Sequence, residues 1–138
     1  MSLKFILLIL GFLIVGSAVP ANAMSAKAYE GLEKTATMIS TPYANAKSCG
    51  LKRTANKLFG LFGKLATMCG PRETQLIKLE RILGKAKPDS NCDDLDAVES
   101  VAILNIGVLE LQFSVLDLGR SLGNRKSCEE YFDELGKK

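Results

Sequence analysis

Apolar and polar positions alternate along this chain with the period of helices, and five such segments follow one another. After Ser25, whose hydroxyl suits an N-cap, Tyr29, Leu32, Ala36 and Ile39 recur at three and four residues, which predicts a helix over about 25–40 that Thr41-Pro42 should stop. A second helix is expected over about 51–69, closed by Gly70-Pro71. A third follows over about 71–84, with Pro71 in its first turn, Leu76, Ile77, Leu79, Ile82 and Leu83 for its buried side, and Gly84 and Pro88 to end it.

The fourth segment, about 93–122, is the longest. Asp93, Asp94 and Asp96 stand where a helix N-terminus favours carboxylates. Val101, Leu104, Val108, Leu111, Val115, Leu118 and Leu122 then repeat at alternating steps of three and four, the spacing of a bundle or coiled-coil seam. Ile103, Ile106, Leu109, Phe113 and Leu116 form a second apolar flank, so this helix is expected to be the one most enclosed by the others. Leu109, Leu111, Phe113 and Val115 also alternate with Glu110, Gln112 and Ser114 as in a strand, but no second strand-like run offers a partner. Glu99, Asn105, Glu110 and Asp117 argue against a membrane span. Gly123-Asn124 should end the helix, and Ser127 with Glu130 forms a capping box for a short last helix over about 127–135. The expected fold is therefore all-α, a small bundle of four to five helices.

The first 23 residues stand apart. Lys4 precedes an apolar run from Phe5 to Val19, and Pro20-Ala21-Asn22-Ala23 supplies a small-x-small cleavage site. A run of about 15 residues is short for a bilayer-spanning helix, so it reads as a secretory signal peptide cleaved after Ala23, with 24–138 as a single helical domain. The expected location is secreted or periplasmic.

The chain has 138 residues, four cysteines and no histidine. Lacking His, it has neither the commonest general base nor the commonest metal ligand, and Ser-His-Asp or Cys-His catalysis cannot be assembled within it. There is no Cys-x-x-Cys pair and no glycine-rich phosphate loop, so no cofactor, metal or nucleotide is expected. Carboxylates of the kind a glycosidase or a calcium site uses cluster at helix starts, where the helix dipole accounts for them. The protein is expected not to be an enzyme.

Four cysteines in an exported chain predict two disulfides. Cys49 and Cys69 would stand at opposite ends of one helix, roughly 30 Å apart at 1.5 Å per residue, whereas a disulfide needs Cα atoms within about 7 Å. Antiparallel neighbours put Cys49 with Cys92 at one end of the bundle and Cys69 with Cys128 at the other. The rival set, Cys49 with Cys128 and Cys69 with Cys92, would require a splayed arrangement.

Charge is segregated along the chain. Residues 44–88 hold ten basic and two acidic residues, and 89–138 hold five basic and eleven acidic. The 51–69 helix sets Lys52, Arg53, Lys57 and Lys64 apart from its apolar face, as an anionic-partner or membrane face would, although a solvated flank answers the same pattern. Gly60 and Gly63 interrupt it, marking close packing or a deformable segment. Neutralisation between the two halves is the simplest outcome, with homodimerisation and an anionic partner as competitors. Nucleic acid is not expected, for want of interleaved aromatics or a motif.

What remains is binding. The leading expectation is a secreted binding protein that holds a small apolar ligand or lipid between helices, lined by Leu104, Val108, Leu111, Phe113, Val115 and Phe62. The alternatives are a protein-interaction module, such as an effector, inhibitor or cytokine-like signal, and a membrane-active protein working through 51–69.

Overall fold

A computed structural model describes residues 24–121 and 127–137. The described chain is all-helical, with no strand among the described residues: α1 (Ala26–Ser48), α2 (Lys52–Met68), α3 (Glu73–Lys85), α4 (Leu95–Ser121) and α5 (Ser127–Gly136). Both disulfides join the pairs expected from antiparallel geometry, Cys49 with Cys92 and Cys69 with Cys128, at Cα separations of 5.3 and 5.7 Å. Two closed disulfides belong to an oxidising, extracellular-type environment.

The first helix differs most from expectation. It begins as predicted, with Ser25 Oγ accepting from the Ala28 N–H at 3.1 Å, but it passes through Pro42 and ends only at Ser48. Proline inside a helix costs about 3 kcal/mol. Burial of Ala44 and Ala46 and half-burial of Tyr43 beyond it offset that cost, so tertiary packing overrides the local stop. The true terminus is a Schellman motif: Gly50 takes φ 79°, its N–H donates to the Lys47 carbonyl at 3.3 Å, and the Leu51 N–H donates to Ala46 at 2.9 Å. Gly70, at φ 65°, ends α2 where the sequence predicted. Pro71 lies outside α3 rather than in its first turn, and Gly84 lies inside it.

The hub of the fold is α1, which packs on each of the other four helices. Leu32, Ala36, Ile39 and Ala46 supply its fully buried stripe, met by Leu58, Leu65 and Ala66 from α2 and by Leu79 and Leu83 from α3. The expectation that the longest helix would be the most enclosed is corrected: α4 lies along the outside, against α2, α1 and α5. Asp94 caps it, accepting from the Ala97 N–H at 3.0 Å. The link before it is held by Asn45, whose amide donates to Asp89 Oδ1 and accepts from the Asp89 N–H, both at 2.9 Å, beside the Cys49–Cys92 bridge. The Gly123-Asn124 stop, Leu122 and the capping side chain of Ser127 lie outside the described residues.

Candidate functional site, the outer face of the fourth helix

At 100° per residue, α4 carries two apolar stripes side by side. Val98, Ala102, Ile106, Leu109 and Leu116 face inward and are buried, with Phe113 half-buried beside them. The seam-like repeat faces solvent: Val101, Val108 and Val115 are 48, 42 and 47% exposed, and Leu104, Leu111 and Leu118 are 70, 67 and 62% exposed. The sequence shows both stripes without ranking them; the second flank turns inward except at Ile103, which is 55% exposed.

Two polar contacts and one small residue accompany this rotation. Lys57 of α2 pairs with Glu110 at 3.1 Å, and Thr54 Oγ1 donates to Glu99 at 3.4 Å. Both contacts lie on the flank that turns the Ile106–Leu109 side toward the bundle. Ala102, fully buried, lets the helices approach there as Leu104 could not. Turning α4 by a third of a revolution would bury the seam but would break both contacts and expose Leu109 and Leu116.

The residues proposed as a ligand lining are thus not gathered around one interior space. Phe62 is buried in the core, Phe113 is half-buried, and Leu104, Val108, Leu111 and Val115 stand on the outer face. An open cleft of about 540 Å³ lies elsewhere, between the N-terminal half of α1, α4 and α5, and none of those six residues lines it. Its apolar lining is Met38, Phe132 and Leu135, and Lys27, Glu30 and Lys34 line it as well. Sequence reasoning missed this cleft, although Gly31 signals it: a Cβ there would overlap the Phe132 ring, so only glycine lets α5 lie against α1. Gln112 borders the same place, and its Oε1 is buried without a hydrogen-bond partner.

Charge around the cleft is largely paired. Lys27 and Lys137 both bind Asp133, at 3.2 and 2.9 Å, and together they hold its carboxyl below the usual range, Lys137 more strongly. Burial pushes the Tyr131 hydroxyl up, partly opposed by a hydrogen bond from Gln112. Burial also raises Tyr29, with the Glu33 carboxylate adding to it.

Of the basic residues on α2, Lys57 is committed to Glu110, while Lys52, Arg53 and Lys64 are exposed. The two glycines between them have open space where a side chain would go, so neither serves close packing. No group of His, Cys, Asp or Glu among the described residues is arranged to hold a metal ion.

Fold and surface together define a disulfide-stapled five-helix bundle that exposes an ordered aliphatic stripe. No protein-family model matches the chain, and no curated protein or solved structure matches it either.

Proposed function

We propose that this chain is an exported, non-enzymatic binding protein whose working surface is the outer face of α4, where it engages another protein. The observation that carries the proposal is the row of six aliphatic side chains, 42 to 70% exposed, along one side of a single helix. Scattered exposed leucines are ordinary, but a contiguous aliphatic stripe on a small bundle marks an interaction surface.

Export rests on the pattern of residues 1–23 and on the two disulfides. Cleavage after Ala23 would also suit the fold. The Met24 side chain is 8% exposed, and its nitrogen lies 3.3 Å from the Gly70 carbonyl. Once cleaved, that nitrogen is an ammonium at the C-terminal end of α2, where the helix dipole favours positive charge.

A small apolar ligand is the second reading. The cleft lined by Met38, Phe132 and Leu135 favours it, since about 540 Å³ is within the range of ligand sites. The α4 reading ranks ahead because the aliphatic surface lies there. A photoreactive residue at Leu111, which is 67% exposed, tests it in the fluid or compartment that receives the protein. A protein adduct from position 111, absent when the probe is moved to exposed Lys85, is the expected result. A lipid adduct alone, or none, overturns the reading.

A further inference from the structure

We infer that the partner of the α4 outer face is a second copy of this chain, paired in parallel along Val101–Leu118 as a two-stranded coiled coil. The inference rests on reading that face as the binding surface, and it comes from three features of the face itself.

The first is the order of residue types. The exposed positions run Val101, Leu104, Val108, Leu111, Val115, Leu118. Valine and leucine alternate without exception, so a heptad begun at Val101 has a β-branched residue at every a position and leucine at every d. That combination favours two parallel strands, because in that geometry a side chains meet a′ and d meet d′, and each packs best with those shapes. Among the described residues, none of the six is buried in the core of one copy. Its core takes the b and f positions, Ala102, Ile106, Leu109 and Leu116, together with Val98 and Gln112 at e.

The second is what flanks the seam. In a parallel pair each g residue meets the e′ residue five positions on. Here Ser100 would meet Asn105 and Ser114 would meet Gly119, while Gln112, the position opposite Gly107, is 8% exposed and turned into its own bundle. None of these flanking residues is charged, so no like charges face each other, and Gly107 has open space around it, so the two helices can close. The carboxylates of Glu110 and Asp117 fall at c, away from the seam. A partner bearing a charged face would find no countercharge along this stripe, whereas a second copy matches it.

The third is geometry and area. The seam and the packed face are about 130° apart around the helix axis, so a two-fold axis parallel to α4 would carry the two bundles to opposite sides. Six side chains exposed at 42 to 70% offer on the order of 500 Å² per copy, or roughly 1,000 Å² across two, the floor for a specific interface. The expected association is therefore reversible in the micromolar range rather than obligate.

Sedimentation equilibrium on the exported form, with both disulfides intact, is the direct measurement. A concentration-dependent dimer is expected. Leu104→Glu combined with Leu111→Glu should weaken it at least tenfold while leaving the circular dichroism melt in place, since both side chains are already exposed. Val101→Cys should form an interchain disulfide under mild oxidation. An antiparallel pair would place residue 101 opposite residue 118 of the other copy, leaving the two residues 101 about 25 Å apart, and would not link. A monomer at hundred-micromolar concentration, a dimer indifferent to the double substitution, or failure of Val101→Cys to link overturns the inference. So does a monomer that binds phosphatidylcholine–phosphatidylserine vesicles through this face. A monomer whose position 111 photolinks to a different protein removes the second copy but leaves the proposed function standing. No protein adduct removes both.

Discussion

Single glycines in this fold have opposite roles that follow from what surrounds them. Gly60 and Gly63 sit in the interior of α2 with nothing near the space a Cβ would fill. They carry only the backbone entropy penalty of glycine in a helix, so Gly60→Ala and Gly63→Ala should each stabilise the protein by about 0.5–1 kcal/mol, read as a higher chemical-denaturation midpoint. Gly31 lies under the Phe132 ring. Gly31→Ala must push α5 off α1 and should destabilise by about 1–3 kcal/mol, with lost protection of residues 127–136 in hydrogen exchange. From sequence alone these three glycines are alike, since each interrupts a helical pattern.

At the scale of elements, α4 shows why two apolar stripes on one helix cannot be ranked by periodicity. The more regular stripe faces water, while the one that contains Ala102 packs. Truncation separates them. Leu109→Ala removes a fully buried side chain and should cost about 2–5 kcal/mol, whereas Leu111→Ala, from a residue 67% exposed, should change the stability of the isolated bundle by less than about 0.5 kcal/mol. Equal losses in urea melts of the two variants would contradict this rotation of α4. The first helix offers a parallel case. Thr41-Pro42 is a sound local stop, and Gly50 at the real C-terminus was an equally readable one, but the choice between them depended on whether Ala44 and Ala46 would be buried.

At the scale of the molecule, the two bridges staple the bundle at opposite ends and in different ways. Cys49–Cys92 closes the α1 end against the start of α4, where Asn45 already holds the link. Cys69–Cys128 ties the short α5 to the end of α2 across 59 residues. Replacing Cys69 and Cys128 with serine releases a loop whose closure is worth about 4 kcal/mol in the chain-entropy model, a large share of the net stability of so small a domain. A clear drop in melting temperature is expected, with α5 protection lost before that of α1. Charge segregation along the sequence is partly resolved within the molecule by Lys57–Glu110, which joins the basic α2 to the acidic second half.

The number of helices, most of their ends and the disulfide pairing were determined by the sequence, because each depends on local spacing or on the length of a helix. Helical period, glycine and aspartate at caps, and the 1.5 Å rise per residue are properties of a chain segment by itself. What only the tertiary structure decided is which surface turns inward: the passage of α1 through Pro42, the central place of α1 instead of α4, and the exposure of the Val101–Leu118 stripe. Burial is a competition among all faces for a core of limited size. Between two faces of equal apolarity, the one turned inward here is accompanied by a small residue, Ala102, and by the cross-helix contacts of Glu99 and Glu110, whose partners lie far away in sequence.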